Sequence, residues 1–182
     1  MLQTLVRLEG KIPTRFRYTR HMSRALIHSF QLRILGYYKG SAIRDMVKRV
    51  RKEDDCQILS NEGYMAYSLA RAQATMDGAM AEVGTYQGAS AKLICEAKGD
   101  AEFHVFDTFC GLLDASEEDP LFRQHDYAAS EGSVRKYLAD YPNVTFHKGL
   151  FPADTGKDVE DKKFSFVNLD VDTYASTRDC LE

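Results

Sequence analysis

A glycine-rich turn between a predicted strand and a predicted helix is the feature that most constrains the fold of this chain. Upstream of the turn, residues 78–83 form a short apolar run that is typical of a buried strand. Downstream, residues 89–97 carry apolar side chains at helical spacing. The turn itself reads Glu82-Val-Gly-Thr-Tyr-Gln-Gly88. Its glycines let the backbone approach a ligand closely and point free amide N–H groups at it. The pattern predicts a strand–turn–helix unit with a binding site at the turn.

Strands and helices continue to alternate after this unit. Strands are predicted at 79–83, 103–107, 144–148 and 164–169, and helices at 88–98, at about 130–140 and from Tyr174 onward. This order is typical of a doubly wound, mainly parallel α/β sheet. Ligands of such sheets bind at the carboxyl ends of the strands. Glu82, Asp107, Lys148 and Asp170 fall at those ends.

The chain divides into a basic helical N-terminal extension at 1–59 and an α/β domain at 60–182. Residues 1–50 carry eleven Lys and Arg against two acidic residues, a net charge of +9, whereas residues 51–182 carry −12. The extension has helical spacing of apolar residues over 18–38 and 43–52. Its charges alternate with apolar residues as in an amphipathic helix, and it shows no stacked aromatic platform of a single-strand binder. We expect a helical cap or an oligomerisation arm and no nucleic-acid partner, with an anionic surface as an alternative partner.

Composition narrows the cellular setting. No run of 18 apolar residues is present, so no membrane-spanning helix is predicted. The four cysteines (Cys56, Cys95, Cys110 and Cys180) include no C-x-x-C pair, and we expect them to be reduced. The N-terminus lacks the apolar region of a secretory signal. A cytoplasmic protein is expected, with a transit role for the Arg-rich start as the alternative.

Acidic residues near the turn indicate a nucleoside-containing cofactor. Asp107 follows Glu82 by 25 residues and ends the second predicted strand, where α/β folds hold a pair of ribose hydroxyls. The G-x-G-x-x-G fingerprint is absent, since the spacing here is E-x-G-x-x-x-G. The Glu82 carboxylate would repel a pyrophosphate but suits a cationic amino group or a ribose, as in S-adenosylmethionine. The alternative is a glycine turn that only lets helix pack on strand.

Two further carboxylates follow the last predicted strand. Asp170 and Asp172 are spaced so that both point from the strand tip towards the expected cleft. Asp170 is a candidate metal ligand or general base for a substrate hydroxyl, because an unpaired carboxylate there is costly. Asp172 could instead be the N-cap of the following helix.

Three histidines of the α/β domain lie near the predicted strands and loops. His125 lies in the long polar loop Thr108–Asp126, where a cover over the substrate would sit, and it is a candidate for substrate contact or proton transfer. His104 and His147 lie inside predicted strands and are expected to be structural.

From residue 60 onward the chain resembles the macrocin O-methyltransferase family of class I S-adenosylmethionine-dependent methyltransferases. The matching motifs are Glu82-Val-Gly-Thr-Tyr-Gln-Gly88, Val105-Phe-Asp-Thr-Phe-Cys-Gly-Leu112, Phe146-His-Lys-Gly-Leu-Phe-Pro152 and Leu169-Asp-Val-Asp-Thr-Tyr-Ala-Ser-Thr177. The resemblance implies a Rossmann-like fold and methyl transfer from the sulfonium to a hydroxyl of a small-molecule acceptor, often a sugar of a natural product.

The resemblance also implies roles for individual residues. Cofactor contacts are expected at Glu82, Gly84, Thr85, Tyr86, Gly88, Ser90, Asp107, Thr108, Phe109, Gly149 and Asp170. Asp170 corresponds to a ligand of a divalent metal, usually magnesium, and to a group that serves in deprotonation. The remaining family ligands, an Asp-Asp pair after a further strand, would lie beyond Glu182. We therefore expect further strands in the complete protein, and neither strong metal binding nor methyl transfer from residues 1–182.

Two other functions stay open on the sequence. A nicotinamide-dependent oxidoreductase is disfavoured by the missing third glycine and by Glu82. The second alternative is a cofactor-binding or interaction domain without catalysis. Its basic arm would bind a partner or an anionic surface.

Overall fold

The computed structural model describes the backbone of residues 17–53 and 58–182, and the side chains of these residues apart from 17–25 and 28. Cys56 and the part of the basic extension at 1–16 lie outside the described residues.

Four parallel strands form one sheet in the order β3-β2-β1-β4. Their bounds are β1 Ala79–Val83, β2 Phe103–Asp107, β3 Val144–Lys148 and β4 Phe164–Leu169. Strand β1 is central and every residue in it is buried, which explains its apolar, small-residue sequence. Strand β4 is an edge and is only partly buried. The doubly wound parallel sheet and the four predicted strands are confirmed.

Helices cover both faces of the sheet. They are α1 Arg17–Lys39, α2 Ser41–Glu53, α3 Ser60–Gln73, α4 Ala89–Ala97, α5 Glu131–Tyr137 and α6 Tyr174–Leu181, with a 3₁₀ turn at Gly156–Val159. One core cluster joins α3, α4 and α5 to the side of the sheet that carries Met80 and Phe103. A second cluster, around Ala81 and Phe106, joins the 3₁₀ turn and α6 to the other side. This two-sided cover is what a parallel sheet requires.

Helix α5 is shorter than predicted. The sequence pattern placed it over about 130–140, but it ends at Tyr137. Leu138 has φ −103° and ψ 7°, outside the helical region, and its side chain is buried in the core. Packing of Leu138 therefore ends the helix before Pro142 does.

The N-terminal helices pack on the α/β domain through α2. Val47 and Val50 are buried against Leu93 of α4. Two ion pairs join the same helices at 2.7 and 2.9 Å, from Lys92 to Glu53 and from Arg49 to Glu96. The described part of the predicted extension is therefore helical and held against the domain.

Candidate functional site

A cleft of about 610 Å³ opens at the carboxyl ends of β1, β2 and β4. Its walls come from the β1–α4 turn, the segment after β2, the segment after β4, and the start of α3. The volume lies within the range of small-molecule sites. Eight of the residues that the sequence assigned to the site line this cleft: Gly84, Thr85, Tyr86, Ser90, Asp107, Thr108, Gly149 and Asp170.

Gly84 brings the β1–α4 turn against the end of β4. Its φ of +83° is in the left-handed region, and a Cβ at this position would collide with the carbonyl oxygen of Asp170. The backbone bonds around it are short, since Gly84 N–H donates to Phe106 O at 2.9 Å and Asp170 N–H donates to Val83 O at 2.9 Å. The glycine therefore fixes the close approach of three strand ends that form the floor of the cleft.

Asp107 organises the turn as well as facing the cleft. Its Oδ2 accepts hydrogen bonds from the amides of Thr85 and Tyr86 at 2.8 and 2.9 Å, and its Oδ1 accepts one from the amide of Phe109 at 2.7 Å. A carboxylate offers about four lone-pair positions, so it can still accept from a ligand hydroxyl. The carboxylate thus couples the turn after β1 to the segment after β2.

Glu82 lies behind the cleft wall, with no exposed surface. Its Oε2 accepts from Thr85 Oγ1 and its Oε1 accepts from Asn168 Nδ2, both at 2.8 Å. Burial raises the pKa of Glu82 to about 7, and the bonds from Asn168, Thr85 and Ser90 oppose that rise. Glu82 is positioned to brace the turn against β4, and direct contact between Glu82 and a cofactor stays a prediction.

Asp170 and Asp172 supply acidic groups at the tip of β4. Among the described residues, no hydrogen bond to the carboxylate of Asp170 is found. Asp170 is exposed at the cleft, where partial loss of hydration and the nearby charge of Glu62 raise its pKa. Burial and the charge of Asp170 raise the pKa of Asp172 to about 6. A carboxylate with a raised pKa and free lone pairs is suited to accepting a proton.

The helix cap predicted at Asp172 is wrong. Thr173 is the N-cap of α6, and its side chain accepts from the amide of Ser176 at 3.3 Å. Asp172 has φ +62° and lines the cleft instead.

The segment between β2 and α5 is tied to the start of α6. Asp114 accepts from Thr173 Oγ1 at 2.9 Å and from Ser176 Oγ at 2.7 Å. Asp119 accepts from the amide of Tyr174 at 2.9 Å. These bonds hold Leu112, Leu113 and Asp114 in the cleft wall. An edge-to-face pair of Tyr86 and Tyr127, with centroids 5.4 Å apart, closes the same side.

Four predicted site residues do not line the cleft. Glu82 is buried behind it, Gly88 packs its backbone against Val134 and Tyr137 of α5, and Phe109 is part of the core. His125 is exposed, and its Nδ1 lies 3.0 Å from the carbonyl oxygen of Cys110. The structure therefore does not bring His125 together with Asp170.

The strand histidines form a buried chain away from the cleft lining. His104 Nδ1 lies 2.9 Å from His147 Nε2, and His147 Nδ1 lies 2.9 Å from Asp158 Oδ2. Both rings stack with Phe106. This placement agrees with the structural role expected for them.

Several cleft residues have no counterpart among the predicted site residues. They include Glu62, Met65, Leu112, Asp114, Tyr127 and Asn168. Asn168 has a detectable signal, a polar residue in an apolar strand next to Asp170. Glu62 and Tyr127 reach the cleft through tertiary packing that has no local sequence pattern.

The fold and the position of the cleft define an α/β protein with a ligand-binding cleft at the carboxyl ends of a parallel sheet. The chain is similar in structure to a solved calicheamicin methyltransferase, CalS11, with a TM-score of 0.57 and 16% identity over 75% of this chain and 70% of that chain. Residues 67–182 match the macrocin-O-methyltransferase (TylF) family, and the chain belongs to this family. Among curated proteins, none matches the sequence.

Proposed function

We propose that the protein is an S-adenosylmethionine-dependent O-methyltransferase that acts on a hydroxyl of a sugar or another small natural product. Its membership of the family supports methyl transfer. The observation that carries the cofactor assignment is the convergence of Gly84, Asp107 and Asp170 on one cleft at the strand ends. In open α/β sheets this edge is where ligands bind.

The cleft fits a nucleoside-containing cofactor. The backbone of Gly84 lies so close to the carbonyl oxygen of Asp170 that there is no room for a side chain. Backbone atoms therefore line the cleft at this point. Asp107 has acceptor capacity for ribose hydroxyls, and Thr85, Tyr86 and Ser90 line the adjoining wall. Gly149 and Thr108 complete the proposed cofactor contacts, which hold the nucleoside over β1 and β2.

When bound, S-adenosylmethionine supplies an electrophilic methyl group on its sulfonium. The protein must then orient the acceptor hydroxyl and take up its proton. Asp170 is the proposed general base, because its carboxylate opens into the cleft and its pKa is raised towards the range of an effective base. The aromatic pair Tyr86–Tyr127 gives the acceptor an apolar wall.

The described residues do not fit a complete metal site. Within them, no group of three or more His, Cys, Asp or Glu side chains lies close enough to hold an ion. Magnesium needs near-octahedral oxygen ligation. The steps proposed for Asp170 therefore involve no metal.

Calorimetry with S-adenosylhomocysteine tests the assignment. We expect this product to bind and NAD not to bind, because the turn lacks the third glycine of the dinucleotide fingerprint. Asp107→Asn should weaken binding of S-adenosylhomocysteine about ten- to a hundredfold, since a charge-assisted hydrogen bond is worth roughly 1.5–3 kcal/mol.

Asp107 also holds the Thr85 and Tyr86 amides, so a control must separate loop damage from lost ligand contact. Asp126→Asn is a matched change: Asp126 accepts one backbone bond in the same segment, from the amide of Arg123. It lies outside the cleft lining. The Asp126→Asn variant should bind S-adenosylhomocysteine as the unchanged protein does. Tight binding of NAD, or unchanged affinity in Asp107→Asn, would count against the proposal.

A further inference from the structure

Helix α1 carries a second apolar stripe in addition to the one that packs on the domain. Leu32 and Leu35 face inward and are partly or fully buried. On the opposite side, five apolar and aromatic side chains repeat at spacings of one, three or four residues: Leu26, Ile27, Phe30, Ile34 and Tyr37. Phe30 is 66% exposed and Tyr37 is 83% exposed. An apolar row of this length is unusual on a water-facing helix.

A basic groove runs directly beside this stripe. It lies between α1 and α2 and is lined by Ser29, Leu32, Arg33, Arg44, Lys48, Arg51 and Lys52. The groove lining in the described part of the chain includes no acidic residue. Arg44 also pairs with Asp45, so it contributes less to the positive charge than Arg33, Lys48 and Lys52 do.

We propose that the stripe and the groove together form a docking surface for an anionic lipid bilayer. The apolar stripe would enter the boundary between headgroups and acyl chains, and the groove would contact anionic headgroups. Tyr37 and Tyr38, which meet edge to face at the end of α1, have the amphipathic rings that favour a bilayer interface. Within residues 17–53 and 58–182, no helix is long and apolar enough to cross a membrane.

Charge complementarity selects the bilayer over a second copy of the chain. A two-fold interface uses the same patch on both subunits. It would bring two basic grooves to the edges of one contact, where like charges repel. An anionic bilayer can contact the apolar stripe with its acyl chains and the basic groove with its headgroups at the same time. The proposal does not depend on methyl transfer, because none of its residues lines the cleft.

Co-sedimentation of the whole chain with vesicles tests this surface. We expect binding to mixed phosphatidylglycerol and phosphatidylcholine vesicles, weak binding to phosphatidylcholine alone, and loss of binding at high salt. Phe30→Glu with Ile34→Glu should abolish binding. Lys48→Glu with Lys52→Glu should weaken it more than about tenfold, since each basic side chain at such a surface contributes about fivefold.

Matched controls change the same residue types elsewhere. Leu121→Glu replaces an exposed leucine outside the stripe, and Lys157→Glu with Lys163→Glu replaces exposed lysines outside the groove. Both should bind like the unchanged protein. All substituted residues are exposed, and circular dichroism confirms folding. Equal binding to neutral vesicles, or equal loss in the controls, would overturn the proposal. So would a dimer that Phe30→Glu dissociates without any vesicle binding, which would assign the stripe to a second copy.

Discussion

The cleft and the helix pair α1–α2 differ in which side chains, charged or apolar, are exposed to water. At the cleft, Glu82 is fully buried, the pKa values of Asp170 and Asp172 are raised, and the apolar residues of β1 are covered. On α1–α2 the charges of Lys48 and Lys52 stay in water and the apolar stripe is exposed. Carboxylates with raised pKa values in a cleft indicate a functional site, whereas an uncovered apolar row indicates a partner outside the chain.

Two glycines with similar backbone angles test whether the cleft is built more tightly than the helix pair. Gly84 has φ +83° and faces the Asp170 carbonyl, whereas Gly40, between α1 and α2, has φ +88° and open space around it. Gly84→Ala should lower the free energy of unfolding by about 2–5 kcal/mol, combining left-handed strain with a steric clash. Gly40→Ala should cost only the strain, about 1–2 kcal/mol. Urea titration of both variants checks this, and equal losses would contradict the tight packing described at Gly84.

Removing one carboxylate from each region sharpens the comparison of charges. In a form of the protein that shows turnover, Asp170→Asn should lower kcat for methyl transfer by about a hundredfold or more, the range for loss of a general base. Cofactor affinity should stay nearly unchanged, because the proposed nucleoside contacts lie over β1 and β2. Asp45→Asn removes an exposed carboxylate of α2 that pairs with Arg44, and it should leave kcat unchanged. Because the pKa of Asp170 is raised, activity should begin to fall on acidification closer to neutral pH than an ordinary aspartate would allow. A fully active Asp170→Asn enzyme would remove this residue from the reaction.

The buried Glu82 predicts a pH dependence of stability. Its pKa is raised to about 7 in the folded chain, so the folded state holds the proton more tightly than the unfolded state does. Stability from this group is therefore fully present below the unfolded pKa and is lost as pH rises towards 7, by on the order of 2 kcal/mol between about pH 5 and 7. Glu82→Gln can keep both hydrogen bonds and should flatten this dependence in thermal unfolding. An unchanged pH profile in Glu82→Gln would show that Glu82 stays ionised.

Sequence patterns predicted the sheet because its central strands β1 and β2 are short, mostly apolar runs that end in or next to an acidic residue. They also predicted the cleft floor, since Gly84, Asp107 and Asp170 lie at strand ends whose common edge follows from a parallel sheet. They did not predict that Asp107 binds three backbone amides or that Glu82 lies behind the wall, because both depend on side-chain directions. They also did not predict that His125 lies outside the cleft lining, because its position depends on tertiary contacts of residues 110–126.

Hydrogen exchange with and without S-adenosylhomocysteine tests the division between the two regions most directly. We predict that the ligand slows amide exchange at residues 83–90 and 107–113, where the turn and the segment after β2 line the cleft. Exchange in α1 and α2 should stay unchanged. Protection of residues 26–52, or no protection near Gly84 and Asp107 at saturating ligand, would contradict it.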